Sequence, residues 1–201
     1  MNNELYGTIL PMIIKVLYWG EIVMVKKTHK IPDTVVLASK WIPEPLFQTI
    51  QKLIPVACVD LIILRKTKGV VKTLLIKRKI YPEENKWCLI GGRILKGERT
   101  KDTIRRQAGN ELGVSVKIIP PWSETLPFAV YNDPVADKQK HFVNLSFPVI
   151  ITKGTIRENG PEFSEAQWFP LHKLPKTIGF HHHQVLKDFI KTRLPYSIKI
   201  I

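Results

Sequence analysis

The sequence predicts an α+β fold, a sandwich built on a mixed β-sheet. Two observations carry that prediction. Short runs rich in Val, Ile, Leu and Phe precede, surround and follow two or three helical stretches, without the strict strand–helix alternation of a parallel sheet. The length of 201 residues, 44% hydrophobic and 24% charged, suffices for one sizeable core with a small appendage. No internal repeat, heptad or low-complexity tract suggests another architecture.

Residues 1–40 lack helical periodicity, and TVVLA at 34–38 reads as a short strand. The apolar stretch LYGTILPMIIKVLYWGEIVMV at 5–25 raises the question of a membrane span, but Pro11, Lys15 and Glu21 interrupt it. A charged side chain at mid-bilayer costs about 2.5–3.5 kcal/mol, so no span is expected. The stretch also lacks a small-residue cleavage site and is expected to be a strand or a leader, with Met24 as an internal start. Residues 1–42 are therefore expected to form an N-terminal extension and residues 43–201 the main domain.

In PEPLFQTIQKLI (43–54), Leu46, Ile50, Leu53 and Ile54 recur at helical spacing behind a proline-marked start. VACVDLIILR (56–65) and TLLIKRK (73–79) read as a hairpin or neighbouring strands around a Lys-Gly turn. Residues 100–112 read as a helix closed by Gly113. SVKIIPPW, LPFAVY and HFVNLSFPVIIT read as further strands, and HHHQVLKDFIKTRL (181–194) as a terminal helix through Val185, Phe189 and Ile190. Cys58 and Cys88 sit in apolar surroundings without metal-ligand spacing and read as reduced, buried thiols of a cytoplasmic protein.

The formal net charge is +14, and residues 61–120 carry +10 of it. Such a local field attracts phosphorylated ligands, although a lysine-rich surface serves solubility equally well. No nucleic-acid motif or aromatic single-strand platform accompanies it, which makes nucleic acid the weaker partner.

The charge surrounds GGRILKGERTKDTIRRQAGNELGV (91–114). Gly91 and Gly92 let a ligand approach the backbone, and Gln107, Asn110 and Glu111 fall at i, i+3 and i+4, on one face of a helix. Oxygen donors on one helical face beside a glycine turn suit Mg²⁺. The segment resembles the Nudix box, GX5EX7REUXEEXGU with U a bulky aliphatic residue, through Gly92, Glu98, Arg106, Glu111, Gly113 and Val114. The resemblance implies an α/β/α sandwich and divalent-metal-dependent hydrolysis of a nucleoside diphosphate derivative, with Mg²⁺ or Mn²⁺ as cofactor. A homodimer is also expected, because N-terminal segments of many members cross between subunits.

Three box positions depart from the pattern. Gln107 and Asn110 replace helix glutamates and Ala108 is smaller than usual, which leaves Glu111 as the one acid on this face. An amide offers a neutral oxygen but no base. The GDP-mannose mannosyl hydrolase branch also lacks the first two glutamates, uses a single Mg²⁺ and directs water to the sugar carbon. By that resemblance the Gly91 carbonyl and Glu111 bind metal, with Gln107 a further candidate ligand, Arg78, Arg93 and Arg106 face phosphate charge, and Asp60 in the preceding strand is a candidate substrate-binding residue. The branch takes a metal ligand and its base from a Gln-His pair, but ENGPEFSEAQW places Glu162 and Phe163 there. Glu162 is then a candidate ligand, and Glu162 or Glu165 a candidate base. Attack at phosphorus, attack at carbon and loss of turnover in favour of binding all stay open.

Among single residues, Glu98 is expected to pair with Arg106 or Arg105, and Asp60 to need a partner among its apolar neighbours. His141 and Trp87 are read as structural. His181, His182 and His183 are taken as a helix start or surface, since consecutive helical residues point in different directions.

Overall fold

The computed structural model describes residues 15–18, 21–24, 42, 44–132, 134 and 140–192. The chain divides into two units, Met1–Ser39 and Lys40–Ile201. In the first, β1 (Lys15–Tyr18) and β2 (Glu21–Met24) pair antiparallel, with Lys15 opposite Met24. The strand expected at 34–38 lies outside the described residues. Among the described residues no helix is long and apolar enough to cross a membrane.

The second unit begins with α1 (Glu44–Leu53) and β3 (Val56–Thr67). β3 turns through Lys68 and Gly69, both at positive φ (50° and 78°), into β4 (Val70–Arg78). Two left-handed residues match the twist of a two-residue hairpin, so the Lys-Gly turn does what its composition predicts. Two short strands follow: β5 (Trp87–Cys88) on β4, and β6 (Ile90–Arg93) on β3.

Helix α2 (Thr100–Gln107) runs directly into a π-helical turn, Ala108–Leu112, which Gly113 closes in the left-handed conformation at φ 74°. After it come β7 (Ser115–Ile118), β8 (Ala129–Tyr131), β9 (Phe142–Lys153), β10 (Phe163–Pro170) and α3 (His182–Lys191). The main sheet runs β10-β4-β3-β9-β7, with β5, β6 and β8 attached at its margins. It is mixed, because β3 and β9 are parallel while its other pairs are antiparallel. Pro148 lies inside β9 without disrupting it. Its carbonyl accepts from Ile119 N–H, and the side that lacks a donor faces the point where β7 ends at Ile118.

Strand β3 is buried on both faces, and the two-residue period sorts its side chains. Val59, Leu61 and Ile63 pack with Ile104, Ala108 and Leu112 of the α2 segment. Ile62 and Leu64 pack with Val185, Leu186 and Phe189 of α3. These two cores on opposite faces make the α/β/α sandwich, and by parity they place Asp60 on the face that α3 covers. Cys58 and Cys88 are free and buried, and burial first of all pushes both thiols up to about 12. Trp87 packs edge-on against Phe169 at 4.8 Å, in a structural position.

Two glycines of the quoted segment differ in why they are there. A Cβ on Gly91 would stand 2.3 Å from the Val59 carbonyl oxygen and 2.6 Å from Asp60 Oδ1, whereas one on Gly109 would meet nothing within 4 Å. We therefore expect Gly91→Ala to cost roughly 1–3 kcal/mol through overpacking against fixed backbone. Gly109→Ala should instead add about 0.5–1 kcal/mol by helix propensity. Urea unfolding midpoints moving in opposite directions would verify both.

Candidate active site

The loop leaving β6 is tied to α2 by a two-pronged ion pair. Arg106 Nε donates to Glu98 Oε1 at 2.7 Å, and Nη2 donates to Glu98 Oε2 and to the Arg93 carbonyl, both at 2.9 Å. Glu98 Oε2 also accepts from Leu95 N–H at 3.1 Å and from Thr103 Oγ1 at 2.8 Å. The Arg106 hydrogen bond outweighs burial and holds the Glu98 carboxyl down at about 2. The expected pairing of Glu98 is thus present, and its partner is Arg106.

On the same helix Gln107 and Glu111, four residues apart, share one face as the spacing predicts, and the segment between them is π-helical. With its amide oriented to satisfy both neighbours, Gln107 donates to Glu111 Oε1 at 3.0 Å and accepts from Arg106 Nη1 at 3.3 Å. Asn110 stays exposed, and its carbonyl accepts from Arg157 Nη1 at 2.8 Å. Gly92 leaves the room this needs, since a Cβ there would lie 2.0 Å from the end of the Gln107 amide. Burial, and then the neighbouring Glu162, push the Glu111 carboxyl up to about 8 against the pull of Arg78 and Arg106.

Across from this corner, Arg78 donates through Nε to the Pro82 carbonyl at 3.0 Å, with Nη1 3.6 Å from Glu162 Oε2. Its guanidinium also lies 5.4 Å from the Phe180 ring centroid, and that of Arg93 stands 3.8 Å over Phe47. These groups share one cavity of about 960 Å³ at the margin of the sheet. Every site residue expected from the sequence lines it except Glu165. Glu165 follows a bulge in β10 and points away, exposed, at a position paired with Lys77. The bulge separates it from Glu162, so the two acids do not share a site. His141 is structural, with Nε2 3.0 Å from the Asn132 carbonyl.

The far wall holds what the sequence reading did not anticipate. Asp60, with its side chain 7% exposed, faces His181 Nε2 at 3.3 Å through Oδ2 and His182 Nε2 at 3.5 Å through Oδ1. Burial would raise its carboxyl, but His182 and His181 outweigh it and hold it at about 2. The expected partner of Asp60 is therefore a pair of histidines. The expected helix start is present, with His181 as the residue that caps α3 and His182 as its first, but the sequence did not show that these two rings face Asp60. Phe180 is left-handed at φ 51° and His181 sits at φ −83°, ψ 6°, so α3 begins only at His182 and both rings turn toward Asp60. His183, one residue on, is exposed as expected. The signal available in the sequence was parity: Asp60 shares a strand face with Ile62 and Leu64, the face that the terminal helix covers.

The Glu98 pairing has a consequence for acid stability. Its folded-state value, about 2, lies below the ordinary 4.5. The stabilisation is then complete above pH 4.5 and disappears as pH falls through about 2; it amounts to roughly 3 kcal/mol. Glu98→Gln should flatten the fall in melting temperature of the wild type across that window, which a pH series of thermal melts measures.

The site can be set beside known proteins. Residues 55–189 match the family model of the NUDIX domain. The ADP-ribose pyrophosphatase of Methanocaldococcus jannaschii is 32% identical over 120 residues, 60% of this chain and 66% of that protein. The low-salt glycan biosynthesis protein Agl8 of Haloferax volcanii is 32% identical over 110 residues, 55% of this chain and 68% of that one. This chain thus spans about two thirds of the length of each. The NUDIX domain of Shewanella oneidensis NrtR, crystallised with ADP ribose, is alike in fold: TM-score 0.57 at 18% identity, over 82% of this chain and 99% of that one. The family model covers well over half of the residues, and the box lies where α2 meets the cavity, so the chain belongs to the Nudix hydrolase family.

Proposed function

We propose that this chain is a divalent-cation-dependent hydrolase of a nucleoside diphosphate linked to another group, an ADP-ribose-like compound or a nucleotide sugar. The observation that carries the reading is the partly buried Glu111, whose carboxyl is disfavoured as an anion by desolvation and Glu162 while Arg78 and Arg106 stand near it in the cavity. Two carboxylates whose charges oppose each other in a partly dry site call for a cation, and the arginines call for an anion.

The donor set fits a hard divalent ion. Glu111, Glu162, the Gln107 amide and the Gly91 carbonyl all offer oxygen, which suits Mg²⁺ or Mn²⁺. Gln107 can turn either end of its amide to Glu111, nitrogen as a hydrogen-bond donor or oxygen beside a shared cation. With amides at 107 and 110, this set supports one ion better than several. When bound, such an ion would neutralise diphosphate charge and ease departure of the phosphate. Arg78 and Arg93, on opposite walls, would hold the substrate's phosphates, and the fork of Glu98 would keep Arg106 in place behind Gln107.

The names of the two relatives, a pyrophosphatase of ADP-ribose and a glycan biosynthesis protein, support a nucleotide joined to a sugar. Attack of water at phosphorus is the leading course. Attack at the sugar carbon is the second reading, and a specific observation favours it: a histidine does line the cavity, though it comes from the start of α3 and not from the late loop.

Two outcomes are expected. Glu111→Gln should lose cation-dependent turnover by roughly a hundredfold or more and keep the wild-type melting transition; unaltered turnover would remove the metal assignment. Hydrolysis in ¹⁸O water should place label in the phosphate product, whereas label in the free sugar would establish attack at carbon. Screening nucleoside diphosphate sugars, dinucleotides and ADP-ribose with Mg²⁺ and Mn²⁺ would supply the substrate, and a complete lack of turnover would overturn the reading.

A further inference from the structure

Asp60 is an acid in the most buried strand of the sheet, and its side chain is more than nine-tenths buried. Such a carboxylate needs donors. The nearest candidates are the rings of His181 and His182, and the oxygen and nitrogen atoms of the three residues lie within 4.8 Å of one another. That spacing suits a metal ion as well as a hydrogen-bonded triad, and the backbone decides between them.

Leu89 N–H donates to His182 Nδ1 at 3.0 Å, inside the core. A ring nitrogen that accepts a hydrogen bond carries no proton, so in the neutral ring the proton resides on Nε2. His182 Nε2 therefore faces Asp60 Oδ1 as an N–H, 3.5 Å away, and has no lone pair for a cation. Its position fixes one oxygen of Asp60. The other oxygen, Oδ2, is buried and lacks a well-aligned hydrogen bond; the closest donor is His181 Nε2 at 3.3 Å.

The same logic sets the tautomer of His181. A charged carboxylate at 3.3 Å requires an N–H on Nε2. Asn144 places its amide nitrogen 3.3 Å from the same His181 nitrogen, and an N–H there requires the Asn144 amide to turn so that its oxygen accepts. The lone pair then falls on His181 Nδ1, which makes no hydrogen bond among the described residues. His181 lines the cavity and its side chain is 19% exposed, so water can reach it. The groups facing the ring are Asp60 from β3, His182 from α3 at 5.3 Å between centroids and Tyr131 from β8 at 5.4 Å, whose hydroxyl donates to Asp188. Asn144 from β9 is uncharged, and Arg78, Arg93, Arg106 and Lys140 are the basic residues elsewhere in the cavity wall.

We propose that His181 is the catalytic base of this site, with Asp60 as its positioning residue and His182 holding Asp60 from behind. The inference rests on the hydrolase reading above and adds the base which that reading lacks. Nδ1 of His181 takes a proton from water as the water oxygen bonds to the electrophilic atom, phosphorus or sugar carbon. The bond from that atom to the leaving-group oxygen breaks, and its electron pair departs with the phosphate. The imidazolium so formed sits against the Asp60 carboxylate, and its proton passes to the product phosphate or to solvent. A long, poorly aligned hydrogen bond in the free enzyme is normal for such a pair and tightens as charge develops.

The test is steady-state kinetics of the full chain on the substrate found by the panel, with variants at three positions. His181→Ala should lower kcat by roughly 10²–10⁴-fold with little change in KM, remove the acidic limb of the pH profile, and regain part of its rate in added imidazole. His181→Gln, closer in shape, guards against a folding defect and should lose the same limb. Asp60→Asn should lower kcat in the same direction, while the exposed His183→Ala should leave it unchanged. Independently, ¹⁵N spectra of the histidines should show His181 protonated at Nε2 and bare at Nδ1. Wild-type kcat or an intact acidic limb in both His181 variants would overturn the base assignment, as would a loss confined to KM or indifferent to imidazole, and the hydrolase reading would survive. No turnover by the wild type on any substrate would overturn both.

Discussion

The structure is organised around an ionised carboxylate in the middle of its sheet. Asp60 stands in β3, the strand buried on both faces, and neighbouring parts of the site make room or supply a partner for it. Gly91, directly opposite in β6, lacks the Cβ that would collide with Oδ1. The chain before α3 adopts a left-handed residue at Phe180 and so brings two rings to one carboxylate. Leu89, between β5 and β6, anchors the second ring through its backbone N–H. Charge in a low-dielectric interior is tolerated only with such compensation, and here the compensation fastens α3 to the sheet at the cavity wall.

The two helices flanking the sheet bring different chemistry to the same cavity. The α2 segment presents a corner of oxygen donors and arginines, in which Glu111 meets Gln107 four residues before it. The α3 segment presents two imidazoles, and the Leu89 N–H fixes the tautomer of one of them, His182. Neither element contains the whole site, and Arg78 and Glu162, from β4 and the loop before β10, complete the wall between them.

Most of the box residues that match the family pattern here serve the architecture. Glu98 and Arg106 clamp the loop to the helix, Gly92 leaves space for the Gln107 side chain, Gly113 ends the helix in the left-handed region and Val114 is buried in the core behind α2. Two of the three departures, Gln107 and Asn110, fall where side chains line the cavity, and the third, Ala108, is buried in the core. Gln107 fills its place by hydrogen bonding to Glu111, and Asn110 is held only through its carbonyl. A segment of this kind stays recognisable as a fold element even where its acids have been exchanged, because backbone geometry and the Glu98–Arg106 fork do not require them.

The sequence by itself determined the local features: the Lys-Gly hairpin, the helix closed by Gly113, the mixed sheet without alternation, the pairing of Glu98 and the loss of two acids from the box. Each follows from interactions between residues close together in the chain or from a two- or 3.6-residue period. Only the tertiary structure decided which face of β3 carries Asp60's partners, that a bulge takes Glu165 out of the cavity, and that His181 and His182 converge. The reason is physical. Asp60 and the histidines are separated by about 120 residues, and their meeting depends on one left-handed residue and one backbone N–H that periodicity does not encode.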